Sequence, residues 1–250
     1  GAFVAPIVIA QVLTLGGATL WAYWVLAALC VPAVATLFRL PSPTPMRSAE
    51  VAASSPTNYR LVAVVALFFL LFVAAEISFG GWLASYSQAL GLADEATAAY
   101  LTAGFWGALT AGRLLAIPIA TRVRPRTILI GDLLGCVISV GIIIIWPQSL
   151  TALWIGAIGF GLAMASIFPT TITFAARRMA ITGRVTSCFL VGVSIGVMTV
   201  PWLIGQLFEQ VGPQVIMSVV LIDMLVACAV FAFLMRLAGP PMASLEESPS

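Results

Sequence analysis

Four ionisable residues lie inside long apolar stretches of the sequence: Glu76, Arg113, Asp132 and Asp223. A charge near the middle of a lipid bilayer costs roughly 2.5–3.5 kcal/mol, so such a residue needs a partner, a water-filled cavity or a task. Residues of this kind often mark the path of a substrate, an ion or a proton. They are therefore the first candidates for a functional site.

Glu76 follows Arg60 by 16 residues, which is about 24 Å along a helix and places it near the bilayer midplane. We expect this carboxylate to couple a cation or a proton, or to bind substrate hydroxyls. The alternative is a structural carboxylate that is protonated or paired with another helix. Gly80 and Gly81, one turn further on, predict a loosened helix that exposes backbone carbonyls, as in a broken-helix site.

Arg113 and Asp132 are expected at similar depth on adjoining spans. Arg113 precedes Arg122 by nine residues and Asp132 follows Arg126 by six. The spacing predicts a structural charge pair between Arg113 and Asp132, because removing one partner of such a pair leaves an uncompensated charge. Asp223 has no arginine at similar depth, so we expect it to be neutral or to contact a neighbouring helix.

Several aromatic and polar side chains could bind a small solute that has both an apolar face and hydrogen-bonding groups. Trp82 and Trp106 supply aromatic faces, and Gln88 supplies hydrogen-bonding groups. The alternative interpretation of the tryptophans is anchoring at the membrane interface. The candidates for substrate or ion binding are thus Glu76, Trp82, Gln88, Trp106 and Arg113.

Composition argues against several other chemistries. The chain has no histidine, and its four cysteines stand far apart in separate apolar runs, so the spacing fits neither a metal site nor a disulfide framework. Eleven basic residues, all arginine, against nine acidic ones give a net charge of only +2, which does not suit a nucleic-acid partner. We expect no enzyme and no cofactor, apart from a coupling ion such as Na⁺ or H⁺.

The elements that position these residues are membrane-spanning helices. The chain of 250 residues is 62% hydrophobic and 8% charged, with a mean hydropathy of +1.13, and a span needs about 20 apolar residues to cross the bilayer core. This predicts an all-α integral membrane protein whose partner is the lipid bilayer. The predicted spans are 1–15, 19–38, 61–88, 97–120, 127–146, 151–175, 185–208 and 214–235.

The arginines predict how these spans are oriented. Ten of the eleven fall in alternate loops or at the ends of spans, and the intervening loops have none. Because arginine-bearing short loops are retained in the cytoplasm, these loops and the C-terminal tail are expected there. The ten are Arg39, Arg47, Arg60, Arg122, Arg124, Arg126, Arg177, Arg178, Arg184 and Arg236.

The stretch 39–60, rich in Pro and Ser, is the longest polar interruption and predicts a cytoplasmic interdomain linker. Residues 1–38 would then be the last two helices of an N-terminal half, 61–236 a C-terminal half of six helices, and 237–250 a cytoplasmic tail. The chain begins inside an apolar run, GAFVAPIVIAQVL, so we expect the first helix to be truncated. Two equal halves would require helices one to four of the same protein upstream as partners.

Four strings carry a resemblance to a known family: AEISFGGWLASYSQ at 75–88, FWGALTAGRLLAIPIATRVRPRT at 105–127, GLAMASIFPTTI at 161–172 and GVSIGVMTVPWLIG at 192–205. The chain resembles the major facilitator superfamily and, within it, the sodium-dependent glucose transporter-like branch that neighbours bacterial fucose permease. The resemblance implies that the eight spans are helices five to twelve of a transporter fold: the C-terminal six-helix half plus about two preceding helices.

The resemblance also implies a cytoplasmic gate loop between helices eight and nine. Arg122 and Arg126 match two arginines of the family's motif, whereas Thr121 stands where the family has an acid.

The function implied is secondary active transport of a small polar solute, expected to be a hexose-type sugar coupled to Na⁺ or H⁺, by alternating access across the plasma membrane. The alternatives are a channel and a non-transporting solute sensor or membrane subunit. A channel should show a filter-like loop or a ring of like residues, and the sequence shows neither.

Overall fold

The structure, a computed structural model, describes residues 4–14, 19–39 and 58–237. Within these ranges the chain forms helices joined by short turns, and it forms no strand. The helices are α1 (Val4–Thr14), α2 (Thr19–Arg39), α3 (Tyr59–Ala89), α4 (Glu95–Arg122), α5 (Pro125–Ile145), α6 (Leu150–Met164), α7 (Ile167–Ala176), α8 (Gly183–Val211) and α9 (Gln214–Leu237).

Six segments of the described chain are long and apolar enough to cross a membrane: α3, α4, α5, the stretch Leu150–Ala176, α8 and α9. They coincide with the last six predicted spans, and α1 and α2 coincide with the first two. The prediction of an all-α membrane fold is thereby confirmed. Residues 40–57 and 238–250 lie outside the described ranges, so the linker, the tail and the domain boundaries stay predictions.

Helix starts follow local capping rules. A capping side chain accepts a hydrogen bond from a backbone N–H of the first turn and so satisfies a donor that the helix leaves free. Asn58, Asp94, Ser149 and Thr182 do this for α3, α4, α6 and α8. The bonds from Thr97 to the carboxylate lower the pKa of Asp94 below its usual value. α5 begins instead with Pro125, whose missing N–H costs nothing at this position.

One predicted span, 151–175, is broken into α6 and α7. Pro169 has no N–H to bond the carbonyl of Ala165, four residues earlier, and its ring crowds that carbonyl. The helix accordingly ends at Met164 and resumes at Ile167, which places Pro169 in the first turn of α7, where proline is tolerated. The interruption at Ala165 and Ser166 is called the α6–α7 break below.

α3 is the central helix of the described bundle. It packs most extensively against α8, then α9, and more narrowly against α4. α4 in turn packs against α6 and α1, and α5 packs against α6 and α9. Fully buried aromatic rings fill the space between α3, α4 and α6, where Phe79 lies against Phe105 and Phe160. This packing fixes which face of α4 is turned toward α3.

The contact between α3 and α8 is unusually close. A Cβ built on Gly192 would overlap the carbonyl oxygen of Ala66, and one on Gly196 would overlap that of Leu70. Small residues spaced four apart let two membrane helices approach along their backbones. The glycines of α8 therefore set the distance between these two helices.

Candidate functional site

Glu76 of α3 and Arg113 of α4 form an ion pair across the helix interface. Arg113 Nη2 lies 3.8 Å from Glu76 Oε1, and the side chains are 55% and 11% exposed, respectively. Within residues 4–14, 19–39 and 58–237 it is the sole ion pair closer than 4 Å. The separation exceeds that of a hydrogen bond. The two charges therefore attract each other without being locked in one geometry.

Trp106 of α4 packs against Gly80, one turn along α3 from Glu76. A Cβ on Gly80 would lie 2.7 Å from ring atoms of both Phe105 and Trp106, so only glycine admits the α4 aromatics here. Gly80 is one turn from Glu76, so both lie on the same face of α3. Trp106 is two turns from Arg113, so both lie on the same face of α4. Glu76, Gly80, Trp106 and Arg113 together are called the α3–α4 seam below.

The structure corrects the predicted pair of Arg113 with Asp132. Asp132 of α5 accepts a hydrogen bond from the Ser166 hydroxyl, which lies in the α6–α7 break. Packing explains the difference, because α4 turns Arg113 toward α3, whereas α5 presents Asp132 to the broken helix. Depth along the spans did not reveal which way each side chain faces.

The α6–α7 break lies directly against the residue before Arg113. A Cβ on Gly112 would come within 2.6 Å of Ala165 Cβ and 2.9 Å of the Leu162 carbonyl oxygen. The break thus contacts α4 beside the Glu76–Arg113 pair and contacts α5 through Asp132. This break was not predicted from the sequence, although Pro169 could have indicated it.

The expectation of a loosened helix at Gly80 and Gly81 is wrong for this structure. α3 continues as an unbroken helix through both glycines to Ala89. Gly80 instead makes room for the rings of α4, and a Cβ on Gly81 would meet open space. The interrupted helix of the bundle is the one that carries Pro169.

Arg113 also lines a cavity of about 330 Å³ between α4, α5 and α7. Its polar lining consists of Arg113, Arg177, Thr170 and Thr173, and the remaining side chains are apolar. No carboxylate is among the lining residues. The cavity therefore offers hydrogen-bond donors and positive charge beside one partner of the ion pair.

Two of the predicted site residues lie away from the seam. Trp82 packs on Phe208 of α8 with ring centroids 5.5 Å apart. Gln88 lines a separate pocket of about 250 Å³ that includes Pro6 of α1. Twelve residues separate Gln88 from Glu76, which is about 18 Å along α3 and longer than one hexose ring. One small solute cannot touch Glu76 and Gln88 together in this arrangement.

The predicted gate residues lie at the short connection between α4 and α5. Arg122 is the last residue of α4, Arg126 is the second of α5, and both are exposed. Neither has a carboxylate within ion-pair distance in the part of the chain that the structure describes. Their role in a gate stays a prediction.

Fold and seam together define a class of protein: a multi-pass helical membrane protein with an ion pair near the middle of its spans and a broken helix beside it. The model of the Major Facilitator Superfamily matches residues 1–189 and 93–250, which together span the whole chain. The chain belongs to the major facilitator superfamily, as the resemblance predicted.

Individual relatives agree with this assignment. The chain is 32% identical over 163 residues to sodium-dependent glucose transporter 1A of Mus musculus, an alignment that covers 65% of this chain and 38% of the relative. It is 31% identical over 170 residues to sodium-dependent glucose transporter 1 of Danio rerio, covering 68% and 29%. It is 29% identical over 136 residues to human major facilitator superfamily domain-containing protein 4A, covering 54% and 26%. The chain thus spans well under half the length of these relatives.

Proposed function

We propose that this protein is a secondary active transporter that moves a small polar solute by alternating access, with its arginine-rich loops and its C-terminus in the cytoplasm and the plasma membrane as its location. The single observation that carries the proposal is the Glu76–Arg113 pair. A carboxylate that is 11% exposed at mid-span, held 3.8 Å from a half-exposed arginine, is a costly arrangement that mere folding does not require. Family membership supports the same function.

The pair supplies a mechanism for coupling. Glu76 neutralised by a proton or by Na⁺ no longer attracts Arg113, so the guanidinium becomes free to turn toward solute in the adjoining cavity. Loss of the ion restores the attraction and withdraws the guanidinium. An ion can shift a conformational equilibrium only if it binds one state more tightly than the other, and the charge on Glu76 provides that difference.

For the solute we propose a hexose-type sugar. Arg113 and Thr170 line the same cavity and offer hydrogen bonds to hydroxyls. Trp106 does not line that cavity; its ring offers an apolar face on the seam, two turns along α4 from Arg113. Two relatives are named as sodium-dependent glucose transporters, which supports a sugar as solute and Na⁺ as coupling ion for this chain. Trp82 and Gln88, which the sequence predicted as binding residues, are not part of the proposed solute site.

The test is uptake by the natural full-length protein reconstituted into proteoliposomes. A panel of labelled hexoses, amino acids and nucleosides is offered under an inward Na⁺ gradient, an inward H⁺ gradient or neither. We expect saturable, concentrative uptake of at least one hexose under one of the gradients, together with exchange accelerated by internal solute. Non-saturable flux without exchange would support a channel, and binding without flux would support a sensor.

A further inference from the structure

A separate cleft, of about 410 Å³, lies between α5 and α9 at the arginine-rich face of the bundle. Arg126, the second residue of α5, and Arg236, the last but one of α9, both line it. From these arginines the cleft extends to Leu134 and Cys228, eight residues further into each helix, or about 12 Å. It is separate from the α3–α4 seam and from the cavity beside Arg113.

The lining of this cleft changes sharply in polarity along its length. The two guanidinium groups lie at the helix ends, and the rest of the wall is made by apolar side chains and one cysteine. Ile130 and Leu134 on its rim are 41% and 54% exposed. A cationic mouth followed by an apolar trough matches a molecule with an anionic head and a hydrocarbon tail.

Positive charge around the mouth is not neutralised within the described residues. Neither Arg126 nor Arg236 has a carboxylate within 4 Å there. Arg126 also lines an adjoining pocket of about 270 Å³ that contains Arg177 and Arg178. Burial lowers the pKa of Arg178, and the charges of Arg177 and Arg126 lower it further. An anion placed among them would relieve their mutual repulsion.

The N-terminus of α5 adds to this positive charge. Its N-cap residue, Arg124, makes no side-chain capping hydrogen bond. The partial positive charge of the helix N-terminus therefore adds to the charge of the nearby arginines. Guanidinium groups bind phosphate and carboxylate oxygens alike with two parallel hydrogen bonds, so the mouth can hold the phosphate of a lipid head group.

We propose that the α5–α9 cleft binds an anionic phospholipid, with its phosphate between Arg126 and Arg236 and an acyl chain along the apolar wall. Basic pockets between membrane helices are known sites for anionic head groups. The length of the apolar trough requires the lipid and not a free phosphate, because a soluble phosphate would leave that wall empty. The site is independent of the transported solute.

The experiment titrates the natural full-length protein, purified in detergent, with phosphatidylglycerol and with phosphatidylcholine of the same acyl chains, and counts bound lipid by native mass spectrometry. We expect phosphatidylglycerol to bind at least tenfold more tightly. Each of Arg126→Gln and Arg236→Gln should weaken its binding about fivefold, the value of one arginine near an anionic head group. The matched control is Arg60→Gln/Arg184→Gln, two exposed arginines at the same face but outside the cleft, which should change binding less than twofold.

Two further arms separate the lipid from its head group. Ala232→Phe fills the trough and keeps both arginines, so it should also weaken phosphatidylglycerol binding. Glycerol 3-phosphate at the same concentration should not displace the lipid. Equal affinity for the two lipids, an equal effect of the control pair, normal binding to Ala232→Phe, or displacement by glycerol 3-phosphate would each overturn the proposal.

Discussion

The two sides of α3 are packed by different means. Toward α8, backbone meets backbone, with Gly192 and Gly196 against carbonyl oxygens of α3. Toward α4, side chains meet at the seam, through an ion pair of 3.8 Å and aromatic rings over Gly80. Backbone contact admits one arrangement of two helices, whereas a loose ion pair can part and re-form. We therefore expect α3 and α8 to move as one unit and contacts to change at the seam.

The largest effect is expected from one added methyl group on the tight side. Gly196→Ala places a Cβ against the Leu70 carbonyl, and a backbone atom cannot move aside as a side chain can. We expect a loss of about 1–3 kcal/mol and a lower folded yield, measured by thermal unfolding in detergent. Gly131→Ala is the matched control, because a Cβ there meets nothing within 4 Å. Equal stability of the two variants would contradict the close contact.

A smaller effect on stability is expected at the seam. Arg113→Gln leaves the carboxylate of Glu76 without its partner, at a cost of about 1–2 kcal/mol, since the half-exposed arginine makes this less than a fully buried pair would cost. The double variant Glu76→Gln/Arg113→Gln should regain part of that loss. The double-mutant cycle is measured by thermal unfolding. Additive effects of the two changes would mean that the pair contributes nothing to stability.

Much of the fold could be predicted from the sequence, because a helix that crosses the bilayer core needs about 20 mostly apolar residues and is visible as an apolar run. The break at Ser166 was missed for a local reason: the run 151–175 is apolar throughout, and only Pro169 signals the interruption. The partner of Arg113 was missed for a tertiary reason. Spacing fixes depth, but the direction in which Arg113 faces depends on how α4 packs between α3 and α6.

The candidate site was predicted in part for the same reasons. Glu76, Trp106 and Arg113 were singled out by type and depth. The structure pairs Glu76 with Arg113 and places Trp106 against Gly80, one turn from Glu76. Trp82 and Gln88 were singled out by type alone, and the structure places them beside Phe208 of α8 and near α1. Residue chemistry selects candidates, whereas rotation of each helix decides which candidates meet.

Ser166→Ala tests whether the broken helix is held by Asp132. Loss of the hydroxyl leaves the carboxylate of Asp132 without its donor, so we expect a loss of about 1 kcal/mol in unfolding free energy. Ser187→Ala is the control, because that hydroxyl is exposed and bonds only the Gly183 carbonyl of its own helix. If both variants unfold at the same temperature, the bond to Asp132 does not hold the break in place.

The smallest effect is expected from Trp82→Phe. Phenylalanine keeps an aromatic contact with Phe208, and position 82 lies on the α8 side of α3, away from the proposed solute site. The KM for the transported solute should stay within about twofold, as expected for a conservative change outside the binding site. Trp106→Phe, on the seam, should raise KM more. A larger rise in KM from Trp82→Phe than from Trp106→Phe would place the solute site on the α8 side of α3 and contradict the proposed site.

Glu76→Gln tests the coupling role of the seam most directly. The measurement compares concentrative uptake and solute exchange by the natural full-length protein and by this variant, in proteoliposomes with a Na⁺ gradient or a pH gradient. The amide keeps the size of the carboxyl but can neither bind a proton nor hold a cation by charge. We predict that the variant folds, loses concentrative uptake and retains exchange. Normal accumulation with unchanged dependence on Na⁺ and pH would show that Glu76 is only structural and would contradict its proposed role in coupling.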